Sequence, residues 1–295
     1  MIGMTLEQLR IFVAVAERAH LTRAAEAVHL SPSAVSAAIR ALEERYGTRL
    51  FNRVGRGIEL TETGRLFLPE AKAALAAASA AELALSEGTN LGRGRLNLGA
   101  SQTVGTYWLP EALMRFHTAY PGIALALTLG NTETVAQAVR EGEADLGFIE
   151  GEIDEPALGS RIVAMDRLVI VTAPDHPWAS AAPDGAALAA GRWILREAGS
   201  GTRSAFEAGL RGNGVDPLAL DIVMTLPSNE AILTALRGGI FAGAMSAQAA
   251  EAAIVAGQLC AIDFALPVRA FRVLWHKERY RTRAARTLEA MLPGG

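Results

Sequence analysis

The chain has 295 residues, 51% of them hydrophobic and 20% charged, which is enough apolar material for two or three cores and too much for a disordered chain. A single cysteine, Cys260, excludes a disulfide framework and a cysteine-built metal centre. The net charge of −3 hides an asymmetry, because residues 1–65 hold nine arginines against seven glutamates while the remainder is acidic.

The first 65 residues predict three short helices and a hairpin. Leu6, Leu9, Phe12, Val13 and Ala16 recur at helical spacing. Glu7, Arg10 and Glu17 crowd this apolar patch, so it is no secretion signal. Thr22 is expected to cap a second helix running through Ala24, Ala25 and Val28. Ser31 and Pro32 then read as an N-cap followed by proline at the first helical position, where no N–H donor is needed. This third helix runs to Tyr46 and stops at Gly47. Val35, Ile39, Leu42 and Tyr46 form one stripe; Ser33, Ser36, Ala37, Arg40 and Glu44 lie opposite.

Two helices joined across 29–31 suggest a helix-turn-helix, and small side chains on the outer face of the second allow close approach to base edges. Residues 50–53 and 58–60 flank a Gly-rich turn, giving a hairpin with Arg53 and Arg56 near its tip. Within 45–65 five arginines face two acids, which suits phosphate contacts. The candidate DNA contacts are therefore Thr22, Ser31, Pro32, Ser33, Ser36, Arg40, Arg53 and Arg56. A helix-turn-helix followed by an arginine-tipped hairpin makes a winged helix over 1–61.

Thr61 caps a long alanine-rich helix expected over 62–88, with Pro69 in or near its first turns. Such a helix outside a compact domain is expected to pair with a second copy. A glycine-rich linker follows, ending the segment 62–92. Residues 93–295 then alternate strands (96–100, 123–129, 145–149, 168–172, 222–225, 240–244) with helices (109–120, 132–141, 202–211, 229–237, 247–256). This predicts an α/β domain of two small lobes with mostly parallel sheets, lobe I over 93–164 and 268–295 and lobe II over 165–267. The longest run free of charged residues, 116–132, contains a Pro-Gly break and is too short to span a bilayer. A cytoplasmic protein with no membrane partner is expected.

Two strand-to-helix turns read as anion cradles: Ser101, Gln102 and Thr103, and the segment holding Glu197, Ser200, Gly201, Thr202 and Arg203. Glu150 ends a strand, where α/β folds bind ligands. A carboxylate facing an anion repels it unless a proton lies between them, so Glu150 would select a singly protonated oxyanion. Asn229 and Glu230 begin another helix bordering the site, with Asn229 expected as its cap. His117, His176 and His276 have no partners at metal spacing, and Cys260 has no local histidine. No acid–base or nucleophile pair is visible, no metal or other cofactor is called for, and no enzyme is expected. A solute-binding protein and a two-lobed enzyme are the rival classes.

The stretches LEQLRIFVAVA (6–16), LTRAAEA (21–27), LSPSAVSAAIRALEE (30–44), GTRLF (47–51) and RVGRGIELTETG (53–64) resemble the LysR-type transcriptional regulators, and the resemblance extends over the whole chain. It implies a winged helix, a dimerising linker helix and a two-lobed effector domain of periplasmic-binding-protein type. It also implies dimers and tetramers on promoter DNA, with RNA polymerase as protein partner. The effector turns are similar to those of the subgroup that senses small anions in sulfur and carbon assimilation, so sulfite or sulfate is the favoured effector, and a phosphorylated or carboxylic metabolite the alternative. Family members often carry glutamine at the place of Pro32 and a basic or larger residue at the place of Ala37. Fewer direct base contacts are therefore expected, with more of the reading left to Ser33, Ser36, Arg40, the wing and DNA shape.

Overall fold

The computed structural model describes residues 3–54, 57–86 and 94–294. It divides into two compact units, one of 1–88 with 140–143 and one of 89–139 with 144–295.

The first unit begins with α1 (Leu6–Arg18), α2 (Leu21–Ala27) and α3 (Pro32–Tyr46). Thr5 and Gln8 cap α1 reciprocally, and Ala19 ends it in the left-handed region. Ser31 Oγ accepts the Ala34 N–H at 3.2 Å to start α3, and Gly47, at φ 63°, ends it. The hairpin β1 (Phe51–Val54) and β2 (Gly57–Leu60) follows, pairing Phe51 with Leu60. Thr61 accepts the Gly64 N–H at 3.0 Å and donates to the Arg49 carbonyl at 2.7 Å, which fixes the start of α4 (Glu62–Ser86) beside the hairpin. Gly64 is required there, since a Cβ would lie 2.2 Å from the Leu50 carbonyl oxygen.

Phe12 sits at the centre of this unit, its ring 5.4 Å from Phe51 and 4.8 Å from Phe67. Ala71 is buried and Phe67, Leu68 and Leu75 pack against the same core. The first half of α4 therefore belongs to the winged-helix core instead of standing apart from it.

Two expectations are corrected. Thr22 does not cap α2; His20 precedes the helix, without a side-chain cap, and Thr22 is exposed in the first turn. Only Ala19 and His20 separate α1 from α2, and the Ala24 N–H already reaches the His20 carbonyl at 3.0 Å. Tyr46, the last residue of α3 before its Gly47 cap, is not covered with the rest of the apolar stripe and is 53% exposed.

The second unit contains β3 (Gly94–Ser101), α5 (Gln102–Tyr107), α6 (Leu109–Ala119), β4 (Ile123–Gly130), α7 (Thr132–Glu141), β5 (Leu146–Glu150) and β6 (Leu158–Thr172). It continues with α8 (Gly185–Ala190), β7 (Arg192–Arg196), α9 (Gly201–Gly212), β8 (Asp221–Leu226), α10 (Asn229–Leu236) and β9 (Phe241–Ser246). The last elements are α11 (Ala247–Val255), β10 (Cys260–Ile262), β11 (Val268–His276) and α12 (Arg283–Met291).

The strand order is β4-β3-β5-β11-β6-β9-β7-β8, with β10 on β6. The pairs among β3, β4 and β5 and among β7, β8 and β9 are parallel. Strands β6 and β11 are antiparallel to their neighbours. The N-terminal part of β6 pairs with β11, and residues 168–172 pair with β9 and β10. The chain thus leaves lobe I along β6 and returns along β11, which gives two α/β lobes joined by two strands. The parallel pattern holds within each lobe and fails for these connecting strands. Leu96, Leu98, Phe116, Phe148 and Phe271 fill lobe I; Ile170, Trp193, Leu195, Phe206 and Leu210 fill one face of lobe II. Among the described residues no helix is long and apolar enough to cross a membrane.

Candidate functional site

The first unit presents the outer face of α3. Pro32, Ser33, Ala37 and Arg40 are exposed and Ser36 is half-buried. Ser31 is occupied as the cap, and its hydroxyl also lies 3.0 Å from that of Ser33. Arg53 is exposed on β1, while Arg56 lies outside the described residues. Glu43, which the sequence reading passed over, ties this helix to the wing: its Oε1 accepts the N–H groups of Leu50 at 2.8 Å and Phe51 at 3.2 Å. A lone acid near the end of a helix gives no signal for that role.

The second unit brings hydroxyl groups from both lobes together. Ser101, at the end of β3, and Thr103, in α5, come from lobe I; Thr202, in the first turn of α9, comes from lobe II. All three are buried. Thr103 and Thr202 hydroxyls lie 3.3 Å apart, and Asn229 Nδ2 donates to Thr103 at 3.1 Å. Glu150 ends β5 within this cluster, 1% exposed. Its Oε2 accepts from Ser101 and its Oε1 accepts from Thr202 at 3.2 Å. Asn229 is not the cap of α10; Ser228 is, which frees the buried Asn229 amide for Thr103.

Close approach between the lobes depends on Gly201. A Cβ there would stand 2.3 Å from the Glu150 carbonyl oxygen and 2.6 Å from Thr132 Oγ1. Ser200 precedes it, buried, and its hydroxyl makes no capping bond.

The charge comes from Arg269, to which the sequence reading assigned no role, and from Arg196, which heads the second strand-to-helix turn. Arg269 on β11 is buried and ion-paired with Asp166 on β6 at 2.8 Å. Its Nη1 donates to Thr202 at 2.9 Å and lies 3.8 Å from Glu150. Arg269 occupies the inward side of a strand with Phe271 and Val273. An arginine inside that apolar alternation was the available signal. Arg196 is the second buried guanidinium, held by Glu197 at 2.8 Å and by Gln102 Oε1 at 3.3 Å. Burial pushes the Glu197 carboxyl up, but the hydrogen bond and charge of Arg196, a backbone N–H and the Asn131 amide together outweigh it and hold the group below its ordinary value. Arg203, expected to supply charge, instead lies along α9, bonded to Glu207 at 2.8 Å and to the Arg196 carbonyl at 3.3 Å. An i,i+4 partner of opposite sign captures it.

Gln102 links the lobes further. Its Oε1 also accepts the Asn229 backbone N–H at 3.1 Å, and its Nε2 donates to Glu230 at 2.7 Å. Tyr107 donates to the other oxygen of Glu230 at 2.7 Å. Burial, reinforced by that carboxylate, pushes the Tyr107 hydroxyl well above its ordinary ionisation range. The network as a whole holds Glu150, Asp166, Glu197 and Glu230 against Arg196 and Arg269. Among the described residues no cluster of His, Cys, Asp and Glu could hold a metal ion.

Residues 89–294 match the LysR substrate binding domain, and residues 6–65 match the bacterial regulatory helix-turn-helix protein, lysR family. The HTH-type transcriptional regulator YeiE of Escherichia coli strain K12 is 36% identical over 96% of this chain and 95% of its own length. A full-length OxyR variant from Pseudomonas aeruginosa has the same fold, with a TM-score of 0.69 at 23% identity over 99% of this chain and 94% of that one. The CcmR regulatory domain of Synechocystis PCC6803, solved in complex with 2-PG, matches 68% of this chain and 96% of that one, with 28% identity and a TM-score of 0.60. Both matched regions and the relative aligned over nearly its full length agree, and the protein belongs to the LysR family of transcriptional regulators, DNA-binding proteins and not enzymes.

Proposed function

We propose that this regulator binds promoter DNA as a dimer or tetramer in the cytoplasm, acts on RNA polymerase there, and is controlled by a small oxyanion held between its two lobes. Ser33, Ser36 and Arg40 read the major groove, with Pro32 at the helix entrance and Thr22 and Ser31 toward the backbone. Arg53 and Arg56 hold phosphates or the minor groove. The observation that carries the effector reading is the convergence of Ser101 and Thr103 from one lobe with Thr202 from the other. Hydroxyl groups and backbone N–H groups at the start of α9 can grip a compact anion from both sides.

A sulfur oxyanion, sulfite or sulfate, is the favoured effector. A phosphorylated or carboxylic metabolite is the second reading, and the 2-PG complex of the CcmR domain supports it. Titration calorimetry of the full chain with sulfite and sulfate tests the first. Heat from a saturable small anion is expected, with Thr202→Ala weakening it by roughly 1–3 kcal/mol if its hydroxyl meets a charged ligand. A gel shift with promoter DNA, with and without sulfite, then tests control. Unaltered DNA binding together with no heat from any small anion would refute the effector reading.

A further inference from the structure

Resting on the oxyanion reading, we infer that the effector must itself carry a hydrogen-bond donor, and that Asn229 is the residue that reads it. The argument follows the hydrogens. Arginine only donates, so Arg269 fixes Thr202 as an acceptor, and the Thr202 hydrogen is directed to Glu150 Oε1. The Ser101 hydrogen goes to Glu150 Oε2. Glu150, which the sequence makes the obvious acceptor, therefore already holds a hydroxyl on each oxygen and has Arg269 alongside.

Besides Arg269 Nη2, whose charge is met by Asp166 at 2.8 Å, two side-chain atoms here are buried without a hydrogen-bond partner, Ser200 Oγ and Asn229 Oδ1. Leaving a buried polar atom unpaired is costly, and a ligand is one way to complete it. The two atoms ask for different things. A serine hydroxyl can donate, which any oxyanion accepts. An amide oxygen can only accept. The Asn229 amide is engaged through its Nδ2, which donates to Thr103 at 3.1 Å, and Oδ1 is the end of the same planar group left buried and unpaired.

A fully deprotonated oxyanion offers only lone pairs to Oδ1 and would repel it. It would also add charge to a network in which four carboxylates already face two guanidinium groups. An anion that retains a hydrogen satisfies both orphaned atoms and adds less charge. The effector class is thus a hydrogen-bearing oxyanion or a hydroxy acid: hydrogen sulfite or a hydrogen phosphate group, in preference to sulfate.

The test is calorimetry on the full chain at one mildly acidic pH, with sulfite, inorganic phosphate and sulfate as probes. At that pH the first two carry a hydrogen and sulfate carries none. The expected result is that sulfite or phosphate binds at least about tenfold tighter than sulfate. Asn229→Ala should close that gap, Ser200→Ala should weaken every anion alike, and Glu150→Gln should leave the gap open. Asn229→Ser is the second variant should Asn229→Ala lose its cooperative melt. Sulfate binding equal to or tighter than the others overturns the inference, as does a gap that closes in Glu150→Gln and persists in Asn229→Ala. Silence from all three anions is a different failure, which removes the oxyanion reading together with this one.

Discussion

At the residue scale, the cleft turns on atoms that cannot be enlarged. Gly201 lies so close to the Glu150 carbonyl oxygen that a Cβ would stand 2.3 Å away. That obstacle is backbone, so it gives way only if the lobes part. Gly201→Ala should therefore keep the fold of each lobe but pull Thr202 away from Thr103 and Glu150. Oxyanion affinity measured by calorimetry should fall at least about tenfold while the circular dichroism spectrum stays unchanged. Unaltered affinity would show that closure to this distance is not needed. His176 makes a second residue-scale case, remote from the cleft. Its Nδ1 accepts the Trp178 N–H at 3.1 Å, which a protonated imidazole cannot do. Burial holds its pKa below the ordinary 6.5 in the folded protein. The neutral form is thus favoured by folding, and this stability is complete above pH 6.5 and is lost as pH falls from there through the lower folded-state value. Thermal melts just above and well below that pH should show a drop in wild type that is smaller in His176→Asn. Equal drops would remove His176 as a contributor.

At the element scale, the wing is a two-stranded hairpin that α3 helps to hold through Glu43. Arg53 projects from β1 and is exposed, so it contributes little to the fold and is free to meet phosphate. Arg53→Ala should weaken binding to specific and non-specific DNA alike and lower the slope of log affinity against log salt by about one unit. A gel-shift series across salt concentrations checks this, and an unchanged slope would take Arg53 off the DNA. The elements also show what the sequence makes legible. Helix α1 was readable from its apolar stripe, and α3 because its cap and its stripe agree. The strands β3, β4, β5 and β9 were readable because short apolar runs alternate with amphipathic helices. Strand β11 was not, since Arg269 and Arg272 interrupt its apolar content and its partners β5 and β6 are far away in sequence. The same interruption hid the largest piece of the site. Ser101, Gln102, Thr103, Glu150 and Thr202 could be named from strand-to-helix turns. Arg269, Asp166 and the orphaned atom of Asn229 acquire their roles only when the connecting strands bring them to those turns.

At the scale of the whole molecule, one winged helix offers too little surface for a specific site in a genome, so two are expected to act together. The helix α4 is the element available to join them. Its inner side is spent on the winged-helix core, where Phe67, Leu68, Ala71 and Leu75 pack. Its outer side carries Leu66, which is 70% exposed, in line with Glu70, Ala74 and Ala78 at helical spacing. Small alanine side chains allow two such helices to approach closely, and a large leucine left in water has reason to be covered. A two-fold pairing of α4 would place both copies of α3 at a fixed separation and so set the spacing of the half-sites. A fragment of residues 1–87 contains a complete core of its own and should dimerise, if weakly, in sedimentation equilibrium at high concentration. Leu66→Glu should shift that equilibrium toward monomer by placing like charges across the axis. In the full chain the same substitution should weaken binding to a two-half-site promoter far more than binding to a single half-site. A fragment that stays monomeric at every concentration, or a full-length Leu66→Glu that binds both DNAs as wild type does, would take α4 out of the interface.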